Sequence, residues 1–167
     1  MSNISMTTSK RNAIVTVMLI SAFVSMLNQT ILNTALPAII KGLNITETTA
    51  QWLITGFMLV NGIMIPLTAF LMHKYSTRHL YIFSMAIFLI GSIVAAFSPT
   101  FTILMISRII QAIGAGILLP LMQFTVFTLF PAEQRGFAMG LAGVVVQSAP
   151  AIGPTLTGLF VDLFSWR

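Results

Sequence analysis

The run FTILMISRIIQAIGAGILLPLMQFTVFTLF, from Phe101 to Phe130, carries a single ionisable side chain, Arg108. An α-helix rises about 1.5 Å per residue, so roughly 20 apolar residues cross the hydrocarbon of a bilayer about 30 Å thick. This run is long enough to cross and too apolar to lie against water. Arg108 falls seven residues in, roughly 10 Å below the end of the helix at 1.5 Å per residue, which is deep for snorkelling. A charge in that position costs at least about 2.5 kcal/mol on insertion scales, so it marks a functional candidate. The three acids, Glu47, Glu133 and Asp162, sit at or beyond the ends of the apolar runs. Arg108 must therefore meet Gln111 one turn away, backbone carbonyls, water in a cavity, or an acid that the spans do not supply. A structural arginine bonded to helix ends is the plain alternative to a polar transport cavity.

The rest of the chain follows the same pattern. Of its 167 residues 57% are hydrophobic and 7% charged, against roughly a quarter charged in a soluble domain. That excludes a disordered chain, a secreted disulfide scaffold and an ordinary soluble enzyme. There are no cysteines, hence no thiolate chemistry, and His73 and His79 lack the acidic neighbours a metal site wants. No metal or cofactor is expected. The basic residues form no stripe that nucleic acid would need, and no GxxxxGK[ST] phosphate loop for an ATP-driven pump occurs. The fold class is all-α integral membrane with five transmembrane helices, at about 13–36, 51–72, 80–97, 101–130 and 136–160, after a tail at 1–12. The first helix is expected to stop at Pro37. Only Ser98-Pro99-Thr100 separates the third span from the fourth, so those two are antiparallel neighbours.

Orientation follows from Lys and Arg. Lys10, Arg11, Lys74, Arg78 and Arg135 fall on one side, and Lys41 and Arg167 on the other. The positive-inside rule then puts the N-terminus in the cytoplasm. The first run is too long for a signal peptide and reads as a span. Phe164-Ser165-Trp166-Arg167 ends abruptly, as a cut chain would.

Small and polar residues inside the spans give a second signal. Gly114-Ala115-Gly116 and Pro120 lie in the fourth span, and Gly140, Gly143, Ala149, Gly153 and Thr157 with Pro150 and Pro154 in the fifth. Small residues three or four apart let helices approach closely, and proline bends a helix, so the fifth is expected to be kinked and tightly packed. Asn28, Gln29, Thr30 and Asn33 form a polar turn in the first span, and Gln147 and Ser148 another in the fifth. Such side chains either bond between helices or line a solute path; Asn28, Thr30 and Gln147 are the cavity candidates.

Taken together, these segments resemble the major facilitator superfamily, and within it the drug:proton antiporter branch with fourteen spans. Leu27 to Pro37, LNQTILNTALP, is similar to the lDxTIvNvALP signature, and Arg108 to Gly116 to the RxxQGxGaa motif. Gly153-Pro154-Thr155-Leu156-Thr157-Gly158 is similar to the GPxxGG antiporter element. Ala69 to Arg78 occupies the place of the cytoplasmic GxLaDRxGRR loop, with His73, Lys74 and Arg78 as its candidates, and Trp166-Arg167 resembles the WRW that precedes a sixth span. The departures are Asn28 and His73 where the family has Asp, Ala69 and Ser76 for loop glycines, and Ala112 for a glycine of the fourth-span motif. Asn28 is no protonatable carboxylate, and His73 supplies no negative latch.

The resemblance implies a partial N-terminal half of the carrier fold, built from inverted three-helix repeats with the substrate path between two halves. Its implied function is proton-coupled multidrug efflux across the cell membrane, with hydrophobic or cationic drug-like compounds and protons as partners, beside the lipid bilayer. Arg108 and Gln111 would form a polar node, and Gly153, Pro154 and Gly158 a bending seam. Five helices stop one short of a half, so the chain is expected to be inactive without the remainder of the transporter. The alternatives are a non-transporting five-span fragment or assembly partner, an uptake carrier of the same superfamily, and a small self-dimerising exporter.

Overall fold

The computed structural model describes residues 7–164, with side chains through residue 158. The motif ending at Trp166-Arg167 lies outside the described residues. Among them the chain forms α1 (Thr8–Leu43), α2 (Glu47–Lys74), α3 (Thr77–Ala96), α4 (Phe101–Leu129) and α5 (Ala132–Phe164). All five are long and apolar enough to cross a membrane.

Short polar residues start three of these helices and stop one. The hydroxyls of Thr46, Ser76 and Thr100 accept from the amides of Thr49, His79 and Ile103, satisfying one orphan donor at each N-terminus. α1 stops at Asn44, whose φ of 52° is left-handed, a backbone region that asparagine tolerates better than most side chains.

Three helices, α1, α2 and α5, outrun the expected spans at both ends, while α3 and α4 end within a residue of theirs. α1 begins at Thr8, inside the expected tail, and continues through Pro37 to Leu43, so proline does not end it. Pro37 is exposed: its ring faces away from the other helices, and the missing hydrogen bond interrupts the ladder without breaking any packing. Lys41 and Gly42 thus belong to α1 and Glu47 to α2, while only Tyr75 and Ser76 separate α2 from α3. α5 likewise runs helically through Pro150 and Pro154.

α4 is the hub. Gly114, Ala115, Gly116, Ile117 and Leu118 are all buried within it. It packs most closely on α3 and α2 and also touches α1, while α5 lies chiefly against α1. The expected antiparallel pairing of the third and fourth spans is present. Glycines set these approaches: a Cβ on Gly114 would meet the Ser84 carbonyl and the Phe88 backbone, and one on Gly116 would meet Met64 and Asn61.

The outer faces remain apolar. Phe70, Phe97 and Phe137 are 64%, 82% and 79% exposed, which is tolerable where the surrounding solvent is hydrocarbon. α5 departs from expectation. Gly140, Gly143 and Gly158 face open space, and among its glycines only Gly153 is closely approached, by the Thr30 side chain of α1. The expected tight packing holds on the face turned to α1, where Ala138, Ala142, Val146, Ala149 and Thr157 are also buried, and is absent from the opposite face.

Candidate functional site

The most concentrated polar chemistry within the spans centres on Arg108. It is fully buried, on the face of α4 turned toward α1, α2 and α3. Its Nη1 donates to Gln111 Oε1 at 2.7 Å and to Asn28 Oδ1 on α1 at 3.3 Å. Gln111, also buried, donates from Nε2 to Ser92 Oγ on α3 at 3.1 Å, and Ser92 donates to the Phe88 carbonyl at 2.9 Å. The guanidinium lies 4.2 Å from the centroid of the Phe57 ring on α2, a geometry in which the ring's negative face attracts the cation. Four helices therefore contribute to one node.

Helical spacing explains the Arg108–Gln111 pair, since residues three apart share a face. Gly91 explains the reach to α3. A Cβ there would lie 2.7 Å from Gln111 Cγ and 2.9 Å from its backbone nitrogen, so its absence lets α3 close against α4 and brings Ser92 within bonding distance. Ser92 and Phe57 were not among the sequence candidates. The available signal was a serine next to a glycine in an otherwise apolar helix; nothing in the residue pattern singled out Phe57.

The remaining candidates fall elsewhere. Thr30 does not join the node: its hydroxyl donates to the Met26 carbonyl at 3.0 Å and its side chain packs on Gly153. Gln147 is exposed. Within the antiporter-like segment Gly153 is buried, whereas Pro154 and Gly158 are exposed. His73, Lys74 and Arg78 are exposed around the α2–α3 turn, where Lys74 Nζ stands 5.7 Å from the Tyr75 ring centroid.

That turn belongs to a basic end of the bundle. Arg11 stacks 4.4 Å from the Phe130 ring, and Arg135 Nε donates to the Phe130 carbonyl at 3.0 Å, joining the start of α1, the end of α4 and the start of α5. A cavity of about 680 Å³ opens at the same end, between Ala13, Val17, Arg78, Tyr81, Thr125 and Leu129.

Comparison with known proteins agrees with this architecture. The Major Facilitator Superfamily model matches residues 18–167. The chain is 55% identical over 157 residues to the uncharacterized MFS-type transporter YcnB of Bacillus subtilis (strain 168), covering 94% of this chain and 33% of the relative. It is 44% identical over 150 residues to the lincomycin resistance protein LmrB of the same organism, covering 90% and 31%. With the probable multidrug resistance protein EmrY of Escherichia coli (strain K12) it shares 35% identity over 147 residues, covering 88% and 29%. The chain thus spans about a third of the length of these curated relatives.

Proposed function

The chain belongs to the major facilitator superfamily, a family of membrane transporters, and we propose that it forms the N-terminal portion of a proton-coupled multidrug efflux transporter. Hydrophobic compounds leave the cell in exchange for protons, across a plasma membrane in which the N-terminus is cytoplasmic. The observation that carries this reading is the Asn28–Arg108–Gln111–Ser92 node, a buried cation linked to polar side chains of two other helices. A merely structural arginine would end on backbone carbonyls; Arg108 instead ends on side chains that can be re-partnered when helices move. The drug-resistance names of LmrB and EmrY support the direction of transport.

Asn28 has no titratable proton, so the coupling acid lies elsewhere in the transporter. The Gly153–Thr30 contact is the pivot at which α5 moves on α1. Alternating access needs a second bundle to rock against, and the chain is inactive without it. The competing reading is a non-transporting five-span fragment or assembly partner.

A drug-accumulation assay separates the two. Cells expressing the complete reading frame should hold less of a fluorescent drug than cells expressing residues 1–167 alone, and a protonophore should erase the difference. Accumulation in both equal to that of cells lacking the protein would refute transport in favour of the non-transporting reading. Efflux by residues 1–167 alone would refute inactivity of the isolated chain.

A further inference from the structure

Among the residues whose side chains are described, the span interior holds a cation and no acid to match it. Glu47 opens α2, Glu133 lies in the first turn of α5 and Asp162 in its last, whereas Arg108 is seven residues into α4. Its contacts are two amide oxygens and an aromatic ring, all neutral. Both amide oxygens take their hydrogen bonds from the same nitrogen, Nη1. Nε and Nη2 are buried without a hydrogen-bond partner among the described residues.

Those two nitrogens form one edge of the guanidinium, with parallel N–H bonds spaced to meet the two oxygens of a carboxylate. The opposite edge is fixed by Asn28 and by Gln111, itself tied to Ser92, and the plane is backed by Phe57. We propose that the Nε/Nη2 edge of Arg108 is a carboxylate-binding site, and that the solutes this carrier exports are hydrophobic acids. The inference rests on the transport reading above and narrows its substrate class. It turns away from the cationic compounds that the family resemblance implies, because an uncompensated guanidinium in low dielectric repels them. Asn28 and Ser92 are half-buried, whereas the Nε/Nη2 edge is itself buried, so a solute reaches it when the helices separate during the transport cycle. A carboxylate supplied by another part of the transporter would use the same edge, and the test separates that source from a solute.

The protein expressed from its complete reading frame is reconstituted in lipid nanodiscs and titrated with 2-naphthoate and, separately, 2-naphthamide, followed by naphthalene fluorescence. The two probes share a shape and differ in charge. 2-Naphthoate should bind about tenfold tighter or more, the discrimination a charge-assisted hydrogen bond gives. Arg108→Gln should abolish the preference. Asn28→Asp, near-isosteric and placed beside Nη1, guards against misfolding of that variant: its internal carboxylate should neutralise the site and also abolish the preference. Equal binding of the two probes to the wild type overturns the proposal, as does a naphthoate preference that survives Asn28→Asp. Failure of naphthoate to bind the wild type overturns the solute site. Naphthoate preference without efflux of naphthoate from cells keeps the site and refutes transport. Efflux of neutral drugs without any preference keeps transport and refutes the site.

Discussion

Arg108 holds a full charge against neutral oxygens and a ring, so its neighbours are costly to remove one at a time. Gln111→Ala would leave Nη1 with Asn28 alone and release the Ser92 hydroxyl. Exposing unsatisfied polar groups in an apolar interior costs about 1–3 kcal/mol, so this variant should melt measurably lower in detergent while still inserting. Arg108→Ala removes the cation itself. Expressed in the complete reading frame it should abolish drug resistance while membrane-fraction immunoblots show normal insertion; resistance retained at normal expression would deny the node a role. The Arg108–Gln111 pair was legible in the sequence because three residues on a helix return to the same face. Its links to Asn28 and Ser92 were not, since those residues lie 80 and 19 positions away and only packing decides which polar side chains meet. Thr30 shows the converse. A hydroxyl in a polar turn looks like cavity lining, yet it finds the Met26 carbonyl on its own helix and leaves its methyl group to pack on Gly153.

At the scale of elements, apolar length made the five helices readable and glycine context did not. Gly114 and Gly140 look alike in sequence, both small residues in apolar runs, but a Cβ on Gly114 would lie 2.6 Å from the Ser84 carbonyl oxygen and 2.9 Å from Phe88 N, while one on Gly140 meets nothing. Backbone atoms of α3 cannot swing aside as a side chain can. Gly114→Ala should therefore push α3 from α4 and destabilise the bundle by about 1–3 kcal/mol, as overpacking does. Gly140→Ala should not destabilise the bundle and should raise its stability by up to about 1 kcal/mol, the helix preference of alanine over glycine. Thermal unfolding of both variants in one detergent checks the contrast, and equal losses would mean that α5 is covered on that face. Pro37 was misread for a related reason. Proline predicts an end where its ring and missing N–H would disturb packing, but Pro37 is exposed on α1, so the helix continues past it to Leu43.

Across the whole molecule, charge and geometry converge on one end. Arg11 and Arg135 meet at Phe130, and the cavity between Ala13, Arg78 and Leu129 places the α2–α3 turn beside them. Five of the chain's Lys and Arg residues, Lys10, Arg11, Lys74, Arg78 and Arg135, thus lie at or next to helix ends that share one pole, and Lys41 sits near the other. The charge asymmetry read from the linear sequence survives folding because antiparallel helices return every second connection to the same side. The positive-inside rule expects such a pole on the cytoplasmic side. Alkaline phosphatase, active only outside the cytoplasm, should therefore be active when fused after Asn44 or Pro99 and inactive after Tyr75 or Pro131, with a cytoplasmic fluorescent reporter giving the complementary pattern. Replacing Lys74, Arg78 and Arg135 together by glutamine should weaken that pattern, because it leaves only Lys10 and Arg11 to hold the pole. Phosphatase activity after Tyr75 in the unaltered chain would invert the orientation.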